Sequence, residues 1–284
     1  MNMHDLQRKP CPLCGEESEF AFGHRVLGRH EAQYAICKSC EFVHAIDPTW
    51  LAEAYSYALA STDTGVVERN RAVADALATF AWLSGLSRER GLDIGGGHGL
   101  LVRMLRDRGL DFRWSDKHAQ NLLARGFEDD GGKYDWLTLV EVFEHLTQPK
   151  EFFQEVVERY EPDCIFFTTL LKPAPIPPLD WWYWCFETGQ HIGFASKRSL
   201  ALLASRLGYS LTSAGAFHLL YRHRRHKVAY TIATARYQKI LQYFAMRRLH
   251  SLTMQDHHAL ASKLREQQVI ERGSGCQCEE VRKI

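Results

Sequence analysis

Four cysteines stand in two pairs near the start of the chain, Cys11 and Cys14 in "CPLC" and Cys37 and Cys40 in "CKSC". Cys14 and Cys37 are 23 residues apart. Two Cys-x-x-Cys knuckles at this distance suit tetrahedral thiolate coordination of Zn²⁺. Four buried free thiols would not need the paired spacing. Four thiolates leave no open position, so such an ion would be structural rather than catalytic. A second constellation is "GLDIGGGHGLL", Gly91 to Leu101. An apolar run ends in Asp93, and glycines follow at Gly95, Gly96, Gly97 and Gly99. Glycine has no Cβ, so the backbone there can take unusual φ and approach a ligand closely. The spacing is neither the Gly-x-Gly-x-x-Gly of dinucleotide sites nor a P-loop, which needs Gly-Lys-Ser/Thr. An acid ahead of the loop would repel phosphate and suit a cationic group. Alone, the glycines would equally make a tight strand–helix turn.

The third constellation is built on histidine, whose unperturbed pKa of ~6.5 fits it for proton transfer. His145 follows the apolar run of "YDWLTLVEVFEHL", and His191 lies in "WWYWCFETGQHIGFAS". His145 could equally pack or cap within its own turn. His191 has Glu187 and Gln190 as polar neighbours in an aromatic run, and burial without a partner would be costly. If the segment is helical, Glu187 shares a face with His191 and orients it as a carboxylate orients other catalytic imidazoles. Trp181, Trp182 and Tyr183 offer a stacking wall for an acceptor, although some of these rings are expected in the core. The cluster "YRHRRHK", Tyr221 to Lys227, reads either as a solvated helix start or as a phosphate clamp using Arg222 and Arg224.

These residues need elements to position them. From Gly91 the pattern alternates, with strands expected at 91–94, 111–115, 135–140 and 163–170 and helices at 98–108, 118–124 and 149–159. That alternation implies parallel strands with crossover helices. Pro173 to Pro178 holds four prolines in six residues and reads as a loop. Ser196 caps a helix through Leu207, stopped by Gly208, and strands follow near 209–214 and 216–222. The expected organisation is a cysteine-bearing module over 1–46, a helical linker over 47–90, an α/β core over 91–225 with an acceptor loop at 172–195, and a helical extension over 226–284. The tail helix runs from about 227 to 268, with an apolar face of Ile240, Leu241, Phe244, Leu249 and Leu252 that asks for a partner, either a second copy or another protein. Cys276 and Cys278 read as unpaired surface cysteines, and Cys164 and Cys185 as core or pocket wall.

The 284 residues are 45% apolar and carry a net charge of +1, which gives no overall attraction to nucleic acid or membrane. Charge is uneven, with 13 Lys/Arg against 5 Asp/Glu from Tyr221 onward. There is no secretory leader pattern and no apolar run near the ~20 residues of a membrane span. The expectation is a soluble cytoplasmic protein.

"LDIGGGHG" resembles the first motif of class I S-adenosylmethionine (SAM)-dependent methyltransferases, and "EVFEHL" resembles the turn after that family's fourth strand. The resemblance spans roughly 66–222 and implies a Rossmann-like sheet with helices on both faces. It implies SAM held at Asp93, Gly95, Gly97 and Gly99, with Asp116 accepting the ribose hydroxyls. Glu141 belongs to the matching turn. The usual polar residue after the third strand is not obvious, and Phe127 or Glu128 is the expected neighbour of adenine. Together with the zinc-ribbon-like head, "FVHAIDPTWLAEAYSYAL" and "GQHIGFASKRSLALLASRLGY" are similar to bacterial methyltransferases of cell-surface polysaccharide and sugar-modification pathways. That resemblance implies a small-molecule or glycan acceptor, with a sugar hydroxyl methylated and His191 or His145 as base. Three alternatives compete. A zinc-module RNA methyltransferase is disfavoured because the head is not basic and no Asn-Pro-Pro-Tyr motif occurs. A sugar C-methyltransferase generally has a longer chain. A non-catalytic adaptor would not need Asp93, the glycines and Asp116 intact.

Overall fold

The computed structural model describes residues 9–56, 62–235 and 238–275. Cys276 and Cys278 lie outside them, as does part of the expected linker. The N-terminal strands are β1 (Lys9–Pro10), β2 (Glu17–Val26), β3 (His30–Cys37) and β4 (Val43–Ile46). The linker contributes α1 (Leu51–Ala54) and α2 (Val66–Ser84) rather than one continuous helix. The core then runs β5 (Gly91–Ile94), α3 (Leu100–Asp107), β6 (Phe112–Ser115), β7 (Trp136–Leu139), α4 (Pro149–Tyr160) and β8 (Cys164–Thr168). It continues through β9 (Gly193–Phe194), α5 (Lys197–Arg206), β10 (Ser210–Ala214) and β11 (Phe217–Tyr221). The tail forms α6 (Arg224–Ala233), α7 (Gln238–Arg248) and α8 (Thr253–Gly275). No helix among the described residues is long and apolar enough to cross a membrane.

The main sheet has the order β10-β11-β8-β7-β5-β6. Strands β5 to β8 pair in parallel, and β10 and β11 add an antiparallel hairpin. Its central strands are buried on both faces, which explains their near-continuous apolar runs. Side chains alternate between two cores, as the period of two demands. Leu137, Ile165 and Phe167 pack with Phe153 of α4 and Leu200 of α5. Trp136, Cys164 and Phe166 pack with Leu77 of α2, Leu105 of α3 and Tyr230 of α6. The sequence-derived α/β sheet with helices on both faces is the observed fold.

Three local expectations differ from the structure. Residues 118–124 form no helix, because the Asp116 carboxylate takes the backbone N–H groups of His118 and Ala119 and the Asn121 side chain takes that of Ala124. The tail is three helices, and Leu249 at the second break packs on the core beside α3. There Arg106 donates Nε and Nη2 to Asp256 at 2.8 and 2.7 Å, both side chains being buried. That pair docks the start of α8 on the core, while Ile240, Phe244, Met246, Met254 and Leu264 remain exposed.

The third difference concerns the head. Its sheet has the order β1-β2-β3-β4-β9, so its last strand comes from the segment expected to form the acceptor loop. Val43 pairs with Phe194, and His44 with Gly193. Trp184, Phe186 and Phe194 pack with Tyr34, Val43 and Trp50 in one aromatic cluster. The run of aromatics without a clear period is a loop laid across a neighbouring sheet.

Candidate active site

The cysteine cluster is closed. Cys11, Cys14, Cys37 and Cys40 are all buried, with Sγ···Sγ separations of 3.7 Å for Cys11–Cys40 and 3.4 Å for Cys14–Cys37. A tetrahedral ion with Zn–S bonds of about 2.3 Å places its sulfurs about 3.8 Å apart. The four thiols fit a Zn²⁺ ion.

At the carboxyl edge of the main sheet lies a cavity of about 1660 Å³, lined by the glycine loop, Asp116, Glu141, His145, Tyr183 and His191. Ligands of open α/β sheets bind at this edge. Gly95 has φ 71°, and a Cβ there would come within 2.6 Å of Val142 Cγ2. The Gly97 amide donates to Asp116 Oδ2 at 2.9 Å, tying the loop to the end of β6. Asp93, at the end of β5, is 1% exposed and accepts from Thr138 Oγ1 at 2.5 Å. Burial pushes its carboxyl up to about 7, the Thr138 bond opposes this, and the charge of Asp116 adds to it. No cation pairs with Asp93 among the described residues. A buried acid without a counter-ion beside a glycine loop fits a ligand that brings positive charge, as SAM does.

Two of the three catalytic expectations, His145 and His191, fall into one cluster. The short 3₁₀ turn Phe143–His145 follows β7 and presents Glu144 and His145. His145 Nδ1 lies 3.0 Å from the Gln190 carbonyl, and His191 Nδ1 lies 2.8 Å from the Tyr183 carbonyl. A carbonyl only accepts, so both Nδ1 atoms donate, and Nε2 is the nitrogen that carries the lone pair in the neutral ring. Burial drives His145 down to about 3, helped by His191 and opposed by the Gln190 bond. The ring is therefore neutral at physiological pH.

Sequence reasoning passed over Glu144, although it lies within the quoted "FEHL". Its carboxylate is fully buried, and neither oxygen has a hydrogen-bond partner. One carboxylate oxygen of Glu144 and one ring nitrogen each from His145 and His191 lie within 4.8 Å of one another. Glu141 faces the same cavity, and burial and Glu144 raise its pKa. It has φ 53°, and its Oε1 accepts from Thr168 Oγ1 at 2.7 Å. Arg69 is held by Asp63 through bonds of 3.0 and 2.6 Å, and its charge favours both glutamates. The only signal available for Glu144 was adjacent ionisable residues directly after a strand.

The remaining assignments divide between the cavity and other parts of the fold. Glu187 lines the cavity but is exposed, and the segment before His191 is a loop; the hydrogen bond that orients the His191 imidazole runs to the Tyr183 carbonyl. Gln190 lines the cavity, and its Nε2 also donates to the Ala54 carbonyl at 2.8 Å, fastening the loop to α1. Trp182 is 71% exposed at the cavity, and Tyr183 is buried in its wall. Trp181 packs in the aromatic cluster and is not among the lining residues. Phe127 is buried beneath the Arg106 guanidinium, 3.8 Å from its ring centroid, and does not line the cavity. Arg222 and Arg224 follow β11, which runs antiparallel to β8, so they sit at the opposite edge of the sheet. Arg222 covers the Tyr209 ring at 4.7 Å.

Residues 67–214 match the family model described as "Methyltransferase domain". The chain belongs to that family. As a methyltransferase it also resembles several solved structures. The mitomycin 7-O-methyltransferase is 18% identical over 52% of this chain and 51% of its own, with a TM-score of 0.38. Human N-acetylserotonin methyltransferase in complex with SAM is 15% identical over 61% and 66%, with a TM-score of 0.37. Magnesium protoporphyrin IX methyltransferase from Synechocystis PCC 6803, with bound SAH, is 15% identical over 61% and 91%, with a TM-score of 0.36. This methyltransferase spans about half the length of the first of these. The search of curated proteins finds no match.

Proposed function

We propose that this methyltransferase moves the methyl group of SAM onto a hydroxyl of a sugar carried on a nucleotide or glycan. The observation that carries the reading is that His145 and His191 both line the cavity that holds the glycine loop, with the buried Glu144 carboxylate beside them. A neutral amine attacks unaided, whereas a hydroxyl must lose its proton as it attacks, and this cluster offers free imidazole nitrogen beside a carboxylate. SAM, when bound, supplies an electrophilic methyl group on a sulfonium. Asp93, Gly95, Gly97, Gly99, Asp116 and Glu141 are the residues that would hold it. His191 takes the hydroxyl proton at Nε2 while its Nδ1 stays anchored to Tyr183. Glu144 stabilises the imidazolium so formed, the task the sequence had suggested for Glu187. Trp182 offers a flat, exposed indole on which a sugar ring can stack.

The same reading gives the four cysteines a structural Zn²⁺ and leaves the uncovered side chains of Ile240 and Phe244 for self-association or a pathway partner. The test is a methyl-transfer assay of the full chain with isotopically labelled SAM against nucleotide-sugars and oligosaccharides. Label on a sugar oxygen, lost in His191→Ala, is the expected result. Label appearing only on amines or carbon would overturn it.

A further inference from the structure

The geometry points to a divalent-cation site formed by Glu144, His145 and His191, distinct from the cysteine cluster, which takes a chelating diol as acceptor. It rests on the hydroxyl reading above and names the acceptor class more closely.

Three features set this cluster apart from a group of polar residues in a pocket. First, the donor atoms are free. Both oxygens of Glu144 lack partners, and both histidines have spent Nδ1 on carbonyls, leaving Nε2 available. Metal-bound imidazoles characteristically have the other ring nitrogen fixed in this way, often by a backbone carbonyl. Second, one carboxylate oxygen of Glu144 and one ring nitrogen of each histidine already lie within 4.8 Å of one another, and the two rings meet edge to face with centroids 5.0 Å apart. Third, Glu144 is wholly buried, and an ionised carboxylate left bare in that position costs several kcal/mol unless it is paired. Arg69 is nearby, but its Nη1 and Nη2 are engaged by Asp63 and its Nε, though free, donates to neither oxygen of Glu144. A cation between Glu144 and the two Nε2 atoms completes all three residues at once.

Two imidazoles and one carboxylate form a donor set for first-row divalent ions, unlike the all-thiolate set of the head. Three protein ligands leave coordination positions open towards the cavity, as catalytic sites do. Two adjacent hydroxyls of a sugar fill such positions through both oxygens. Coordination lowers the pKa of a bound hydroxyl. In the cation-loaded enzyme its proton leaves to water, and the oxygen–methyl bond forms as the methyl–sulfur bond breaks, the electron pair returning to sulfur. His191 serves as the proton acceptor only when the ion is absent.

The experiment uses full-length protein with zinc in the cysteine site, washed with chelator and titrated with Mn²⁺. Mn²⁺ prefers nitrogen and oxygen donors and does not compete for thiolates. Electron paramagnetic resonance counts the free ion. One Mn²⁺ per chain is expected, with affinity lowered about 100-fold or more in Glu144→Gln and His191→Ala. Glu144→Gln keeps the buried shape, and unchanged circular dichroism shows that it folds. No Mn²⁺ uptake by the wild type, or equal uptake by folded variants, overturns the site. Methyl transfer to a sugar hydroxyl without Mn²⁺ uptake leaves the hydroxyl reading standing with His191 as base. Mn²⁺ uptake with no hydroxyl acceptor methylated removes that reading and keeps the cation site.

Discussion

His145 and His191 meet edge to face with ring centroids 5.0 Å apart, although 45 residues separate His145 from Gln190, whose carbonyl anchors it. The anchors interlock, because His145 holds the carbonyl of Gln190, the residue immediately before His191. Changing either ring therefore disturbs the seat of the other.

This coupling makes the effects of mutation unequal. His191→Ala should leave SAM affinity unchanged and lower turnover by ~10²–10⁴-fold, the span for a lost general base. Glu144→Gln should fall in the same range. Glu187→Gln, an exposed change, should alter turnover less than about twofold. Steady-state kinetics on the labelled acceptor rank the three, and an effect of Glu187→Gln matching that of His191→Ala would restore Glu187 to the role assigned here to Glu144.

Asp93 gives a pH prediction. Its carboxyl is raised to about 7 by burial, so below that pH it is largely protonated. A cationic donor favours the ionised form, so SAM affinity should fall as pH drops below about 7, with one proton released per SAM bound. Calorimetry in buffers of different ionisation enthalpy counts that proton. The stability effect has the opposite direction. A group whose folded pKa is raised contributes most below its unfolded pKa, and that contribution is lost as pH rises through the folded value. Asp93→Asn should therefore unfold at higher temperature than wild type at pH 8 while binding SAM poorly. A pH-independent SAM affinity would count against the assignment.

One zinc per chain should survive chelator washing, because four thiolates enclose the ion. Replacement of Cys37 by serine should release it and lower the unfolding temperature of the whole chain, since the cysteines share a core with Phe143, Leu200 and Phe167. Elemental analysis and calorimetric scans check both outcomes. A zinc-free wild type with an unchanged transition would reject the structural ion.

Removing Asp256 leaves Arg106 buried beside a lost partner. Asp256→Ala should cost about 3 kcal/mol or slightly more, the range for breaking a buried pair from one side. Urea unfolding measures it. A loss below about 1 kcal/mol would mean that Asp111 and the Phe112 carbonyl, also bonded to Arg106, suffice alone.

Arg222 and Arg224 lie at the sheet edge remote from the cavity. Their replacement by alanine should leave the Michaelis constant for the acceptor within about twofold, read from the same kinetic assay. A rise of tenfold or more would bring the phosphate clamp back.

The sequence was most informative where a residue's surroundings are set by near neighbours. Strands around Leu92, Leu137 and Ile165 are short apolar runs bounded by turns, and they appear within two residues of their expected limits. The Ser196 cap was equally legible, since its partner Ser199 is three residues away. Residues 118–124 misled because Asp116 and Asn121 take backbone amides that a helix would use. The tail misled because Arg106 and Asp256, 150 residues apart in sequence, bring its third helix onto the core. The orientation of His191 depends on a carbonyl, which no side-chain pattern reveals. Glu144 was visible as a letter but gained meaning only when the fold brought His191 beside it.

Strand β9 belongs by sequence to the segment expected to form the acceptor loop and by pairing to the head sheet. The two segments are consequently one inheritable unit. A chimaera taking residues 1–46 from one relative and the catalytic sheet from another would face β4 with a foreign edge strand, and a mismatch there would expose its unpaired amides and carbonyls. The pairing of the head sheet can therefore be transplanted intact only by moving the cysteine module and the segment through Phe194 together, even though more than a hundred residues of chain lie between β4 and β9.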